Sequence, residues 1–535
     1  MLRLLYSETV RSAGRHVRSP HPAFRQQPNA GVPARISIGF SAIVACIAAL
    51  LVAGFAWAYS SPIGSSPDDD FHQSSIWCPY PLEDSGCRLV YDDRGAAVGA
   101  YVPEIVRYAS KCFAFQPEQS AACVDSLDVT LVASDRIDRG DYPGWYYEVM
   151  RVFVGEDPVW SILVMRFFNV TLAVLLLSAV AATMPRVGHR LIVLALLGTA
   201  VPLNIFLIAS VNPSSWAIVG VAVAWLSSLA LATSDTTRRT VAAGVLVVAG
   251  AALAAASRSD AAAYVLVALV AMAILTWRDL RRRPLLLVVP AVAGALCLAS
   301  YFSAAQRTAL VTGFEGDSGR NPDDVLFHNL TELPNLLAGL SGGFKGLGWF
   351  DTAMPAITHV SVVAVVAGLV LTGLRAMWPE KFLSLALVAT ALTVLPLLVL
   401  QGSLSKVGEA VQPRYLLPLV FVAVATALAG RPRSDSPGLT TSQTIAVYTL
   451  LVLANTFGLH ANIRRYVTGQ DVLSFNLGQK VEWWWSFGPS PMEVWAIGSA
   501  AFAVGALLLF HVRESSRHEG SGRAGMSAVS TAGGE

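Results

Sequence analysis

The chain of 535 residues is 54% hydrophobic and 14% charged, with a formal net charge of +2. Soluble domains carry about 25% charged residues, so most of this sequence is built for lipid, and its near-neutral balance excludes nucleic acid as an electrostatic partner. Zinc-type Cys/His spacing, a Walker loop and H-E-x-x-H are all missing, which removes common soluble metal chemistries and ATP-driven transport within the chain.

Residues 1–35 are basic and turn-rich, with Arg3, Arg11, Arg15, Arg18, Arg25 and Arg35 against Glu8. They read as a disordered cytoplasmic tail. The apolar run Ile36–Tyr59 follows, and Ala56-Trp57-Ala58 within it resembles a signal-peptide cleavage site. That run is longer than the roughly 7–15 residues of a signal-peptide core. It matches the roughly 20 residues that span a bilayer, so a retained anchor is expected.

Spans of suitable length recur at Val159–Met184, Leu191–Ser210, Ser215–Ala232, Thr240–Ala256, Ala261–Trp277, Leu285–Ala305, Ala353–Leu374, Phe382–Leu400, Tyr415–Ala429, Thr444–Gly458 and Val494–Val512. Lipid offers the backbone no hydrogen-bonding partner, so each must be a helix. The expectation is an all-α polytopic fold with about twelve transmembrane helices within residues 36–512. With a cytoplasmic N-terminus, every inner connection is basic: Arg186 and Arg190, Arg238 and Arg239, Arg278 with Arg281 to Arg283, Arg375 and Lys381, Arg431 and Arg433, then Arg513, Arg517 and Arg523. The positive-inside rule asks for this pattern. It places the chain in the plasma (inner) membrane with both termini cytoplasmic and residues 513–535 as a second disordered tail.

Four segments then lie outside: Ser60–Pro158, Gln306–Thr352, Gln401–Arg414 and Leu459–Glu493. The first is nearly a small domain and holds Cys78, Cys87, Cys112 and Cys123, four of the six cysteines. An even set in a non-cytoplasmic loop implies two disulfides, most simply Cys78–Cys87 and Cys112–Cys123, though the sequence alone allows three pairings. Between them, Ile105, Val106, Ala109 and Phe113 recur at helical spacing, which suits a helix on the membrane surface or one packed inside a folded loop.

The outer-face polar residues are the candidates for chemistry. Asp68, Asp69, Asp70 and His72 follow the first span; adjacent carboxylates repel, and such a run serves as general base, holds a divalent cation, or simply ends the span as a solvated turn. Asn212 lies in Val211-Asn212-Pro213-Ser214, Trp349 and Asp351 in Gly348-Trp349-Phe350-Asp351-Thr352. Arg258 and Asp260 share a four-residue outer turn, where the guanidinium either meets phosphate or pairs locally with Asp260. Arg414 and Tyr415 open a span after Pro413, and Arg414 is a phosphate contact or a snorkelling interfacial residue. Trp483-Trp484-Trp485, Trp160 and Trp145 fit an aromatic belt or a sugar-stacking surface.

Pro67-Asp68-Asp69-Asp70-Phe71-His72 with Ile76-Trp77-Cys78, Tyr142-Pro143, Met165-Arg166-Phe167-Phe168-Asn169, Asn212-Pro213-Ser214-Ser215-Trp216, Ser257-Arg258-Ser259-Asp260, Gly348-Trp349-Phe350-Asp351-Thr352 and Pro413-Arg414-Tyr415 together resemble the bacterial membrane-protein family called domain of unknown function 2142. The likeness runs from about Ile36 to Val512, with Asp69 where that family often has glutamate. The family is in turn distantly similar to the GT-C glycosyltransferases, which take sugars from polyprenyl-phosphate carriers and have an acidic residue or pair soon after the first span. The resemblance implies a GT-C-like enzyme in which Asp68 or Asp69 deprotonates the acceptor hydroxyl with inversion at the anomeric carbon. Arg258 and Arg414 stand as candidates for the carrier phosphate, with a divalent cation as the candidate cofactor. The implied partners are a polyprenyl-phosphate sugar donor, an envelope glycan or lipid acceptor, and membrane lipid. Two rival readings remain: a transporter or lipid flippase of envelope precursors, and a non-catalytic envelope assembly protein that binds a partner through Ser60–Pro158.

Overall fold

The computed structural model describes residues 40–303, 319–344, 346–409, 411–431 and 438–529. The basic tail expected over 1–35 lies outside them. Each of the twelve apolar stretches contains helix. Among the described residues, nine helices are long and apolar enough to cross a membrane. They are α1 (Phe40–Tyr59), α5 (Pro158–Thr183), α8 (Ser214–Thr233), α9 (Thr237–Ala255), α12 (Val288–Ser303, extended at its start by a 3-10 turn), α14 (Ala356–Leu374), α15 (Pro379–Gly402), α17 (Thr441–Val467) and the apolar part of α18 (Pro491–Val529).

The remaining three stretches depart from simple spans. α6 (Arg186–Thr199) and α7 (Pro202–Ile208) form one apolar path bent by 93°. Pro202 is the cause: it cannot donate to the preceding turn and holds Val201 extended. The freed Thr199 carbonyl accepts from Asn204 Nδ2 at 2.7 Å. α10 (Ser259–Leu275) and α16 (Pro413–Leu428) have 17 and 16 residues, short of the roughly 20 that span. By length and composition, nine of the twelve expected stretches pass as spans among the described residues, or ten with the bent pair.

The bundle is built around α8, every residue of whose apolar window is buried. Small residues allow its closest contact. A Cβ on Gly220 would lie 2.6 Å from the Ala254 nitrogen of α9, and one on Gly250 would lie 2.6 Å from the Ala224 nitrogen of α8; backbones this near exclude any side chain at the two positions. At the far end of the bundle from the small domain, Lys381 is fully buried at the start of α15. Its Nζ donates to Gly373 O (2.8 Å), Ala376 O (3.0 Å) and Ala429 O (3.0 Å), joining the C-terminal ends of α14 and α16.

Residues 60–157 fold into the small domain. It contains α2 (Asp69–Trp77), α3 (Glu104–Phe113), α4 (Trp145–Arg151) and a three-stranded antiparallel sheet in the order β1 (Leu89–Tyr91), β2 (Ala97–Pro103), β3 (Leu131–Ser134). The sheet is an addition to the all-helical expectation. Its β1–β2 turn is set by Asp92, whose Oδ1 accepts from the Arg94 and Ala96 nitrogens at 2.9 Å each, and by Gly95 at φ +79°. The disulfides are Cys78–Cys87 and Cys112–Cys123. α3 buries Ile105, Val106, Ala109 and Phe113 in the domain's own core, which selects the packed alternative over the surface helix.

Three segment boundaries also move. The stretch expected as loop over 459–493 begins as helix, because α17 runs on to Val467. α13 (Pro322–Ala338) occupies much of the 306–352 segment. α18 continues to Val529, so residues 513–529 are helix where the sequence suggests disorder; extending an existing helix needs no new nucleus.

Candidate functional site

After α1 the chain turns through Ser60–Asp68, and this turn is held from every side. Arg166, inside α5 and 1% exposed, donates to the carbonyls of Ala58 (3.1 Å), Ser61 (2.6 Å) and Pro62 (2.6 Å). A charge inside a span survives only with such partners. Asn212, at the start of α8, donates to Ser66 Oγ (3.2 Å) and Pro67 O (2.9 Å). Trp349 Nε1 donates to Gly64 O at 2.7 Å. Gly64 has φ +80°, and a Cβ there would lie 2.5 Å from the Ser110 nitrogen of α3.

The turn ends on Asp68 in the left-handed conformation, φ 62°. Successive positions on a helix point about 100° apart, so the three aspartates diverge. Asp68 stays 36% exposed and bridges Arg414 Nη2 (2.7 Å, Oδ2) and Arg136 Nη2 (3.3 Å, Oδ1). Burial pushes its carboxyl up, but the Arg414 and Arg136 guanidinium groups beside it outweigh this and hold it near 2. Asp69 is fully buried. Its Oδ2 accepts from the Ser66 nitrogen at 3.0 Å and its Oδ1 has no hydrogen-bond partner. Burial raises its carboxyl to about 7, against the opposing Arg166 charge. Asp70 faces the small domain, meeting Arg107 (3.3 Å) and Arg136 (3.2 Å).

Around Asp68 lies a cluster of arginines and tyrosines. Arg258 grips Asp260 through two bonds, 2.8 and 2.9 Å, so the local pair foreseen as one alternative forms. The Arg258 and Arg414 guanidinium carbons lie 4.4 and 5.0 Å from the Tyr415 ring centroid. Arg414 Nη2 also donates to Tyr415 Oη at 3.0 Å, while its buried Nε and Nη1 have no partner. His72 Nδ1 meets Tyr147 Oη at 3.0 Å, and its ring sits 5.3 Å from that of Tyr142. Burial drives the His72 imidazole down to about 3, so it is neutral at physiological pH.

The structure thus brings together Asp68, His72, Arg258, Asp260, Arg414 and Tyr415. It assigns Asp69, Asp70, Asn212 and Trp349 to the frame that holds the Asp68 turn. Asp351 is also a joint: it pairs with Arg465 at 2.8 Å, both almost fully buried, and accepts from the Phe115 nitrogen at 3.1 Å. A divalent cation does not fit, because Asp68, Asp69 and Asp70 point apart and no group of three His, Cys, Asp or Glu side chains among the described residues converges on a metal position.

Sequence reasoning missed Arg136 and Arg465, and it took up Tyr142 and Arg166 only as parts of the resemblance, with no place in the site. Arg166 was detectable as a lone charge within an apolar run. Arg136 lies in an unremarkable loop and carries no such signal. Arg465 fell in a presumed loop.

Beneath the cluster, a cavity of about 430 Å³ opens among α1, α5, α6, α7, α8, α16 and α18, and its lining is overwhelmingly apolar. Phe421 in that lining stands two turns along α16 from Arg414.

A family model described as "Predicted membrane protein (DUF2142)" matches residues 51–423. The matched range includes every residue of the Asp68 cluster, while Arg465 and α18 lie beyond it. No curated protein and no solved structure matches the chain.

Proposed function

Because the chain belongs to the DUF2142 family of predicted membrane proteins, we propose that it is a membrane-embedded glycosyltransferase using a polyprenyl-phosphate-linked sugar. Its product is a modified envelope glycan or glycolipid, formed on the outer face of the plasma membrane. The observation that carries this reading is the half-open Asp68 carboxylate, held between Arg414 and Arg136 at the mouth of an otherwise buried arginine–tyrosine cluster. A base needs access to its proton, and of the three aspartates Asp68 has it.

At about 2 the resting Asp68 carboxyl is too acidic to take a proton from a sugar hydroxyl. The donor phosphate supplies the correction in this reading. It draws Arg136, the exposed partner, onto its own oxygens, and the carboxylate left behind becomes more basic. The acceptor oxygen then attacks the anomeric carbon, its proton passes to Asp68, and the carrier phosphate leaves with the bonding electron pair. The apolar cavity supports a lipid-borne donor, since it offers hydrocarbon surface on the same helix that carries Arg414.

Turnover of a radiolabelled polyprenyl phospho-sugar by the purified full chain tests the reading. Wild type transfers the sugar and Asp68→Asn does not. An Asp68→Asn chain that restores the envelope glycans of a deletion strain in full overturns it, as does cysteine labelling that puts the Asp68 turn on the cytoplasmic side. One observation favours a second reading, a carrier of envelope precursors: the α6–α7 span is broken, as transporter spans often are. That reading expects flux across liposomes without any labelled product.

A further inference from the structure

We infer that α13 (Pro322–Ala338) is an interfacial helix that seats one face in the hydrocarbon of the bilayer, in contact with lipids of neutral net charge. Its depth follows from what it touches. The connection between α15 and α16, residues 403–412, lies just past the ends of two apolar helices. At the start of α13, the Pro322 carbonyl accepts from Gln401 Nε2 at 2.9 Å. In the middle, Asn329 donates to Ser405 O and accepts from the Val407 nitrogen, both at 2.9 Å. Just past its end, Gly339 is packed so closely against Pro413 that a Cβ would clash at 2.2 Å.

A helix of 17 residues is about 25 Å long. One that meets the last turn of α15 at its beginning, the connection in its middle and the first residue of α16 just past its end runs across the ends of the spans, not parallel to them.

The side chains divide into three faces. At 100° per residue, Val325, Asn329 and Leu336 fall within about 40° of one another, and all are buried. Leu326, Leu330 and Leu337 form a second stripe, with Phe327 at its edge and Asp323 beside it only in the first turn; the four apolar residues are 39%, 54%, 47% and 71% exposed. Asp324 and Thr331, both exposed, mark the third face. A helix in water needs two faces, buried and polar. A third, apolar and uncovered, is what a helix at the boundary between protein, lipid and water requires.

The neighbouring last turns of α15 expose Val394 (42%) and Leu398 (59%), so apolar surface continues from a membrane span towards α13. Charge narrows the lipid class. The helix carries Asp323, Asp324 and Glu332 and no lysine or arginine, which disfavours anionic headgroups.

The test uses the full chain with Cys46→Ala and Cys297→Ala, reconstituted in phosphatidylcholine bilayers. Single nitroxide labels are placed at Phe327, Leu330, Leu337, Asp324 and Thr331. Labels at the first three collide with dissolved oxygen more than with a water-soluble nickel chelate, and labels at Asp324 and Thr331 show the reverse. Nickel-accessible labels at the apolar positions, or labels shielded from both quenchers because another part of the chain or a second copy covers them, overturn the inference. All five positions are outside the packed face, and agreement at two of the three apolar sites decides the outcome if one variant misfolds.

Discussion

Two buried arginine–aspartate pairs lie at the same end of this molecule and differ in one respect. Asp351 and Arg465 are 1% and 0% exposed and 2.8 Å apart, and Arg465 also donates to the Gln119 and Phe113 carbonyls, tying the small domain to α17. Asp68 and Arg414 are 2.7 Å apart, yet Asp68 is 36% exposed and shares a second guanidinium, Arg136, that is itself 44% exposed. The sealed pair is a joint. The open pair keeps a carboxylate within reach of solvent, which is what the proposed role as base requires, with a second guanidinium beside it.

The comparison is broken most sharply by Asp68→Asn. Loss of a general base costs about 10²–10⁴-fold in turnover, read with the labelled donor, whereas Asp69→Asn retains most activity because Asp69 has no route to substrate. Equal losses from both would erase the distinction between them. Asp351→Asn has the next largest effect. Leaving Arg465 buried without its counter-charge costs about 3–5 kcal/mol, measured by thermal or urea unfolding of the solubilised chain, while Asp68→Asn costs less.

The third prediction concerns pH. A folded-state carboxyl raised to about 7 binds its proton in the native chain after the unfolded chain has released it near 3.9. Asp69 therefore contributes stability that is fully present below about pH 4 and lost as pH rises through 7. Unfolding temperatures of wild type fall across that window, and Asp69→Asn flattens the fall. Asp68 acts with the opposite sign: with its carboxyl held near 2, its contribution is present above about pH 4 and lost as pH drops through 2. Arg136→Gln has the smallest effect on stability, about 0–1 kcal/mol for so exposed a pair. Its informative readout is the acid limb of the pH–rate profile, which moves to higher pH as Asp68 loses a neighbouring positive charge.

The membrane helices were legible because lipid leaves no alternative to a long apolar helix, and the disulfides because four cysteines crowd one loop. The Asp68 cluster was legible in part. Asp68, Arg258 and Arg414 were picked out by charge and by their shared side of the membrane, and they do converge. What hid was direction. Nothing in Asp68-Asp69-Asp70 says which carboxylate faces out, since that depends on a left-handed residue and on which helix wall each side chain meets. Position within the chain hid Arg136 too, because its partners Asp68 and Asp70 are more than sixty residues away. α17 ran past its expected end for a related reason: Arg464 and Arg465 look like loop residues until the carbonyls of Ser474 and Asn476, in the loop that follows, and of Phe113, in the small domain, accept their hydrogen bonds.

Lys381 bears on what braces the Arg414 side of the open pair. A single ammonium gripping the ends of α14 and α16 from the first turn of α15 rivets those three helices into one block, and that block carries Arg414. Asp68 hangs from the opposite wall, on the turn that α1 leads into and α5 fastens. The Asp68–Arg414 bridge therefore joins two parts of the bundle that are each braced separately by a buried cation, Arg166 on one side and Lys381 on the other.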